Sequence, residues 1–391
     1  MNGRVLLLQN DTCAGIDPGP LLRAQGYAVT RTAAQDQARE LLMRGADLVL
    51  ADADLLEGPG WEACLAECRR HAVPCLLFSG SRSLESLVAR EGKGDGVLLR
   101  ADSLAELSAR VSALTAQRRL RLQLAQLQRR VRMRDREQEE ELRSAAQIQR
   151  SLIPAHLPDI DNYRFAWHFQ PFERIGGDLF NVMQLDEDTV MAYLFDVSGH
   201  GVSSAMVSVS VHQSLSLHTG RIVKRVYVAP PYYKILSPAE VLGELEREYP
   251  FERFEKFFTI TYLLLTISTG RVHYSSAGHP PPAVVRRNGS VELLRAGGGL
   301  IGLGVGAPFV EGEIVLGAGD RLYLYSDGMI EGANRQGEQF GAERFFGLLG
   351  LLWDQPLQAG CRQVAERARQ FAEGRPPQDD LTLLGIEYFG D

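Results

Sequence analysis

Leu322-Tyr323-Leu324-Tyr325-Ser326-Asp327-Gly328 is an apolar, strand-like run that ends on a carboxylate and a glycine. A second run, Val190 to Phe195, ends in the same way, on Asp196-Val197-Ser198-Gly199-His200-Gly201. Two further stretches, Ile175-Gly176-Gly177-Asp178 and Gln378-Asp379-Asp380-Leu381-Thr382, set a carboxylate beside glycine or at the head of an apolar run. A single Asp-Gly pair is an ordinary turn signal. Four acidic stretches of this kind in one half of a chain carry more. Aspartates delivered to one point by strand ends repel each other unless a cation joins them. An all-oxygen ligand set favours Mg²⁺ or Mn²⁺ over zinc, which would call for His and Cys. Two such ions a few Å apart form a hydrolytic centre that activates a water and clamps a phosphate.

Outward from these stretches the pattern is α+β. Strand-like runs cover Arg164–Phe169, Val190–Phe195, Phe258–Ile267, Val272–Ser276, Pro282–Arg287 and Arg321–Ser326. Helical patterns cover Ser203–His218, Pro238–Glu248, Ala342–Leu352 and Gln358–Ala372. Ser276-Ala277-Gly278-His279-Pro280 lies between the second and third acidic stretches. Gly319-Asp320-Arg321 leads into the third, and Gly337-Glu338-Gln339-Phe340-Gly341 follows it.

In this order and company the motifs resemble the bacterial PP2C-like Ser/Thr phosphatases of the SpoIIE/RsbU type, over residues 145–389. The resemblance implies an antiparallel β-sandwich flanked by helices, with metals at one edge. It implies a metal-dependent protein serine/threonine phosphatase holding two Mn²⁺ or Mg²⁺ ions. Asp178, Asp196, Asp327 and Asp379 match the family's catalytic metal carboxylates, with Asp196 as the bridge between ions. The carbonyl of Val197 is a further ligand, and Asp380 lies in or just behind the ligand set. The implied substrate is a phosphorylated anti-sigma-factor antagonist of the STAS type in a partner-switching pathway. The chain departs from the family at Asn181, where relatives carry a second Asp. Arg174 is a candidate phosphate clamp and His200 a candidate general acid, while His279 reads as a structural turn residue. The basic and aromatic segment 220–236 reads as a loop, with a flap or protein-docking surface as the sharper alternative.

Upstream, Val5–Leu8, Leu48–Ala51, Cys75–Phe78 and Gly96–Leu99 are short apolar runs separated by helical patterns such as Asp36–Arg44 and Trp61–His71. Alternating strands and helices with fully apolar strands predict an α/β doubly wound parallel sheet over residues 1–115. Sites in such folds lie beyond the strand C-termini. Asp52 ends one strand, and this region resembles a response-regulator receiver domain with Asp52 as the phosphoacceptor, Gly60-Trp61-Glu62 downstream and Ser79 after the next strand. The receiver's acidic pair appears as Gln9-Asn10, with Asp11 nearby, and its Lys-Pro appears as Arg100-Ala101. Arg100 keeps the charge without the compact ammonium geometry. The expectation is a receiver-like regulatory domain, degenerate on the favoured reading and phosphorylatable at Asp52 on the alternative, answering to a histidine kinase or to another regulator.

Residues 116–153 join the two regions. No proline occurs between Ala101 and Ile153, and apolar residues recur in steps of three and four at Leu120, Leu124, Leu127 and Val131, then at Ala145, Ile148 and Leu152. Arg134, Gln138 and Glu141 interrupt the seam. A basic block (Arg129 to Arg136) precedes an acidic one (Glu137 to Glu141). A helical coiled-coil linker that pairs two copies of the chain accounts for this pattern; a solvated single helix is the alternative. Pro154 ends the helix. The three parts are thus 1–115, 116–153 and 154–391.

Composition narrows the function. A net charge of −7 gives no footprint for nucleic acid. No apolar run is long enough to span a membrane. The five cysteines, Cys13, Cys64, Cys68, Cys75 and Cys361, are an odd number in a long chain, so they read as free thiols in a reducing cytoplasm. A second function of a different class is a non-catalytic response-regulator-like adaptor that binds a transcription or sigma-factor regulator. Retention of all four aspartates favours the enzyme.

Overall fold

Strands that are apolar on both faces need cover on both faces, and the N-terminal part of the chain meets that need. The computed structural model describes residues 2–10, 17–53, 55, 61–78, 96–97, 104–154, 156–172, 175–217, 222–304 and 308–390. The chain divides into two units, Met1–Arg136 and Glu137–Asp391. In the first unit, β1 (Gly3–Leu8), β2 (Tyr27–Thr32), β3 (Leu48–Asp52), β4 (Cys75–Phe78) and β5 (Gly96–Val97) form a parallel sheet in the order 2-1-3-4-5. This is one of the two common doubly wound strand orders.

Alternate side chains of each strand go to opposite faces. Val5, Leu7, Leu48, Leu50, Leu76 and Phe78 pack with Leu22 of α1 (Gly19–Ala24) and with Leu107 and Val111 of the long helix α4 (Leu104–Leu152). Leu6, Leu8, Val49, Ala51, Cys75 and Leu77 pack with Ala38 and Leu42 of α2 (Gln35–Met43) and with Trp61, Cys64 and Cys68 of α3 (Trp61–Arg70). Cys64, Cys68, Cys75 and Cys361 are buried free thiols, as expected; Cys13 lies outside the described residues.

The second unit begins with the last turns of α4 and continues through β6 (Tyr163–Gln170), β7 (Leu179–Gln184), β8 (Thr189–Val197) and α5 (Val202–Ser214). A hairpin of β9 (Lys224–Val226) and β10 (Tyr233–Ile235) follows, then α6 (Pro238–Glu248), α7 (Phe251–Phe254), β11 (Phe258–Thr266) and β12 (Arg271–Ala277). The segment 222–236 is therefore a β-hairpin rather than an irregular loop. Next come β13 (Ala283–Val285), β14 (Val291–Leu293), β15 (Gly297–Gly298), β16 (Gly312–Val315) and β17 (Arg321–Tyr325). The unit closes with α8 (Gly328–Glu331), α9 (Ala342–Leu351), α10 (Leu357–Phe371) and β18 (Leu381–Tyr388).

These strands form two sheets. One has the order β15-β12-β11-β8-β7, with β16 also on β12, and the other the order β14-β13-β17-β18-β6. Apart from the two-residue β15, neighbours are antiparallel. Val190, Ala192 and Leu194 of β8 and Leu263 and Leu265 of β11 meet Leu322, Leu324, Leu384 and Ile386 of the opposite sheet, which makes the sandwich core. The alternate residues Met191, Tyr193, Phe195 and Val197 turn outward beneath Val207 and Val211 of α5 and Val241, Leu242 and Leu245 of α6. Tyr323, Tyr325 and Leu383 turn to the other outer face, under Phe345 and Leu349 of α9 and Cys361, Val364 and Ala365 of α10. The result is four layers, helix–sheet–sheet–helix. Helix α6 starts where Ser237 and Glu240 complete a capping box around Pro238 at its first turn.

Because Leu384 sits at the centre of the sandwich with none of its surface exposed, Leu384→Ala should destabilise the second unit by about 2–5 kcal/mol, the range for a buried leucine whose cavity cannot collapse. Urea unfolding followed by tryptophan fluorescence measures this. A loss well below that range would mean that the two sheets do not pack as described.

Candidate metal centre

Antiparallel pairing brings strand ends and strand starts to one edge. Leu179 at the start of β7 pairs with Phe195 near the end of β8. Tyr325 at the end of β17 pairs with Leu383 near the start of β18. Asp178 and Asp196 therefore leave one sheet, and Asp327, Asp379 and Asp380 the other, at the same edge of the sandwich. All four acidic stretches converge there, as their order in the sequence led us to expect.

The loop 176–178 is held from three sides. The buried amide of Gln149, near the end of α4, donates to the carbonyl of Gly176 at 2.7 Å and accepts from its N–H at 3.2 Å. Ser208 of α5 donates to the carbonyl of Gly177 at 2.6 Å. Asp380 accepts from the N–H of Asp178 at 3.1 Å and, through its other oxygen, from the N–H of Phe172 at 2.7 Å. Both Asp380 oxygens are thus committed to backbone, and this carboxylate organises the loop. Ser326 Oγ donates to the carbonyl of Asp380 at 3.0 Å and accepts from the N–H of Thr382 at 3.0 Å, so the β17 and β18 motifs are tied together. The Thr382 hydroxyl donates to Asp178 Oδ2.

Glycine is required by space at this edge. A Cβ on Gly177 would lie 2.6 Å from the carbonyl oxygen of Val197 and 2.7 Å from Asp196 Oδ1, and one on Gly176 would lie 2.0 Å from Asp380 Oδ2. A Cβ on Gly328 would lie 2.2 Å from the carbonyl oxygen of Asp380. Backbone and carboxylates approach each other more closely than any side chain would allow.

The electrostatics are those of crowded acids. Burial, then the nearby Asp196 and Asp380, raise the Asp178 carboxyl well above its ordinary value. Burial together with Asp327, Asp379 and Asp380 pushes Asp196 up to about 8. Burial, Asp379 and Glu331 push Asp327 up to about 6. Among the described residues no lysine or arginine forms an ion pair with these carboxylates. Asp178 Oδ1 and Asp327 Oδ1 are buried without any hydrogen-bond partner. Buried polar atoms are otherwise almost always paired, so these two oxygens and the glycine cradle suit hard cations. No three His, Cys, Asp or Glu side chains among the described residues already stand at cage spacing.

Other expected residues fall elsewhere. Asn181 is buried within β7, where its side-chain oxygen accepts from the N–H of Val182 at 2.7 Å. His200 is exposed and meets the ring of Phe172 edge-on, with centroids 6.5 Å apart. His279 is buried, its Nδ1 2.7 Å from Thr259 Oγ1, and burial lowers its pKa to about 3, which agrees with a structural part. Arg174 lies outside the described residues. Gln149 and Ser208 were not singled out from sequence. Neither carried a sequence signal, since both are polar residues whose burial only the fold decides.

In the first unit, Asp52 is buried at the end of β3 and Gln9 is buried just past β1. Asn10 follows, its carbonyl accepting from Arg31 at 2.9 Å. Asp11, Ser79 and Arg100 lie outside the described residues, as does Gly60.

Comparison with known proteins agrees with this architecture. A family profile described as stage II sporulation protein E (SpoIIE) matches residues 186–389, just over half of the chain. The chain belongs to this family of PP2C-like phosphatase domains. The profile takes in Asp196, Asp327, Asp379 and Asp380, and Asp178 lies just before it. The phosphoserine phosphatase RsbP of Bacillus subtilis is 29% identical over 196 residues, which are 49% of this chain and 45% of that protein. Protein IcfG of Synechocystis is 23% identical over 261 residues, 63% of this chain and 41% of that one. The chain thus spans less than half the length of these two relatives. Among solved structures, the SiaA-PP2C domain of Pseudomonas aeruginosa superposes with a TM-score of 0.53 at 20% identity, covering 65% of this chain and 98% of that one. The RsbU and RsbW domains of a Mycobacterium tuberculosis protein give a TM-score of 0.51 at 25% identity, covering 61% and 63% of the two chains.

The crowding has a measurable consequence for cation-free protein. Asp196 holds its proton up to about 8 when folded, against about 4 in an unfolded chain. Stability linked to that proton is present below the unfolded value and is lost as pH rises through the folded one. In EDTA, the melting temperature should therefore fall between about pH 4 and about pH 8 and level off above that, and Mn²⁺ should restore it most at the higher pH. Asp196→Asn should flatten both effects. Equal Mn²⁺ shifts in the variant and the parent would place the cation elsewhere.

Proposed function

We propose that the chain is a divalent-cation-dependent protein phosphatase acting on phosphoserine or phosphothreonine. The observation that carries this reading is the edge of the sandwich. Five aspartates meet there, two of their oxygens are buried without partners, and glycines clear the space between them. The described relative named a phosphoserine phosphatase supports the same chemistry. Asp178, Asp196, Asp327 and Asp379, with the carbonyl of Val197, would hold two Mn²⁺ or Mg²⁺ ions, and Asp196 would be shared. Ions so held lower the pKa of a bound water and offset charge on a phosphoryl group. The protein's own part is to aim the ligands. Thr382 occupies Asp178 Oδ2 and leaves Oδ1 facing the site. Asp379 Oδ1 accepts from the N–H of Asp380 at 2.8 Å, which fixes the orientation of its carboxylate. Asp380 keeps the loop before β7 in register with β18.

The substrate in this reading is a phosphorylated STAS-type anti-sigma-factor antagonist, met in the cytoplasm. Among the described residues no helix is long and apolar enough to cross a membrane. With such a phosphoprotein and Mn²⁺, phosphate release should stop in EDTA. Asp196→Asn should lower kcat by about 10²-fold or more, by comparison with the loss of one preorganised stabilising group. Asn181→Ala should have a far smaller effect, because Asn181 bonds along its own strand. Equal losses in the two variants would show that the ligand set is misassigned.

The first unit is proposed to be a receiver-like regulatory domain, over residues 1–115, that no longer takes phosphate. Its strand order and the buried Asp52 support the relationship. Gln9 and Asn10 stand where carboxylates would be needed to bring Mg²⁺ to Asp52, so incubation with acetyl phosphate and Mg²⁺ should leave Asp52 unmodified on Phos-tag gels. Stoichiometric modification that disappears in Asp52→Ala would make the domain an ordinary phosphorylation switch.

The linker, residues 116–153, is proposed to pair with that of a second copy. Leu120, Leu124, Leu127 and Val131 are 55–60% exposed along the described helix, a seam that coiled-coil pairing would cover. Size-exclusion chromatography with light scattering should give a dimer at micromolar concentration, and Leu124→Glu with Leu127→Glu should give a monomer. A monomeric parent would leave the helix a passive spacer.

A further inference from the structure

The first unit contains a second candidate site, at the opposite end of its sheet from Asp52. Residues that precede β4, Val73 and Pro74, line a cavity of about 360 Å³ together with the last turn of α3 and one face of α4. Three arginines border it: Arg69 from α3, and Arg118 and Arg121 from α4. Gln117 adds an amide, and Leu114 with Val73 and Pro74 supplies an apolar wall.

Arg118 is the informative group. Its side chain is only 12% exposed. One terminal nitrogen donates to the carbonyl of Ala46 and lies 3.2 Å from Asp47 Oδ1. Its Nε is buried and has no hydrogen-bond partner. Asp47 is already shared, since its other oxygen accepts from the N–H of Arg4 at 2.8 Å. Burial lowers the Arg118 pKa, and the nearby Arg4 works in the same direction. Asp47 thus divides its oxygens between one guanidinium and one backbone N–H, and a buried donor of Arg118 is left unmet. A buried donor of this kind costs stability unless something accepts from it.

We propose that this cavity binds a small phosphate-bearing organic molecule. Guanidinium groups offer planar forks that match phosphate oxygens in pairs. The volume exceeds that of a lone phosphate and falls in the range of about 300–1,000 Å³ usual for small-molecule sites. The apolar wall gives an organic portion a surface to pack on. The ligand would contact α4 directly, through Gln117, Arg118 and Arg121. Nothing in this assignment depends on phosphatase activity.

The test is isothermal titration calorimetry on the full chain, in EDTA and at low salt, so that cation-dependent phosphate binding is absent. The probes are ADP, pyrophosphate and adenosine. ADP should bind with one site per chain and adenosine should not. Pyrophosphate binding as tightly as ADP would show recognition through phosphate alone, and weaker pyrophosphate binding would show that the apolar wall contributes; both support the site. Arg69→Gln with Arg121→Gln changes two exposed side chains and should weaken ADP by about tenfold or more, the scale of losing charge-assisted hydrogen bonds. Asp196→Asn should leave ADP binding unchanged. Circular dichroism melts check that the double variant is folded. Absence of binding by both phosphate probes at millimolar concentration overturns the proposal, as does an affinity unaltered in the folded double variant.

Discussion

Mutual repulsion among crowded carboxylates is the constraint around which the second unit is arranged. Asp178, Asp196, Asp327, Asp379 and Asp380 share one edge of the sandwich, and burial raises the pKa of Asp178, Asp196, Asp327 and Asp380. A fold selected for stability alone would not gather them. Their surroundings show how the cost is contained. Asp380 is satisfied by backbone N–H groups from two separate segments. Thr382 engages one oxygen of Asp178. The remaining unmet oxygens point to the place where positive charge is needed.

That local arrangement depends on distant packing. Asp196 sits on β8, a strand with apolar side chains on both faces, between β7 and β11. One face meets the opposite sheet and the other lies beneath α5 and α6. A strand held from both sides has little freedom to shift its last residues, so the position of Asp196 is set by the core. The same holds for Asp327, which follows the wholly buried β17. Rigid strands placing ligands on short loops is the arrangement expected of a preorganised site.

Helix α4 connects two different kinds of environment. Leu107 and Val111 are buried in the first unit's core, and Ala146 and Gln149 are buried in the second. Gln149 makes a two-way contact with the backbone of Gly176, two residues before Asp178. The last turns of the helix therefore act on the candidate metal centre through hydrogen bonds, whereas the middle of the helix carries exposed leucines and charge blocks. The polar contact of Gln149 adds to the apolar packing of Ala146 against Ile175 and Ala205, and both tie this helix to the candidate centre.

Much of this was legible in the sequence. Buried strands such as β1, β3, β4, β8, β11 and β17 fall where the apolar runs lie, because burial on both faces demands uninterrupted apolar residues, whereas half-exposed strands such as β2, β9, β10, β14, β15 and β16 carry no such run. The four aspartate motifs pointed to one shared edge of the fold, and to the candidate metal centre there, because carboxylates beside glycine at strand boundaries have few other uses in combination. Other features were decided only in three dimensions. Ile148, whose spacing suggested the seam, is exposed, and Gln149 beside it is buried; polarity alone argued the reverse. Asp380 and Asp379 are adjacent and chemically identical, yet Asp380 is buried and engages backbone donors through both oxygens, while Asp379 is exposed and engages one through Oδ1. Hydrogen-bond partners 200 residues apart in the chain, such as Asp178 and Asp380 at a separation of 202, leave no local signature. Periodicity records which side chains leave water, and only tertiary packing decides which polar groups follow them and what they meet.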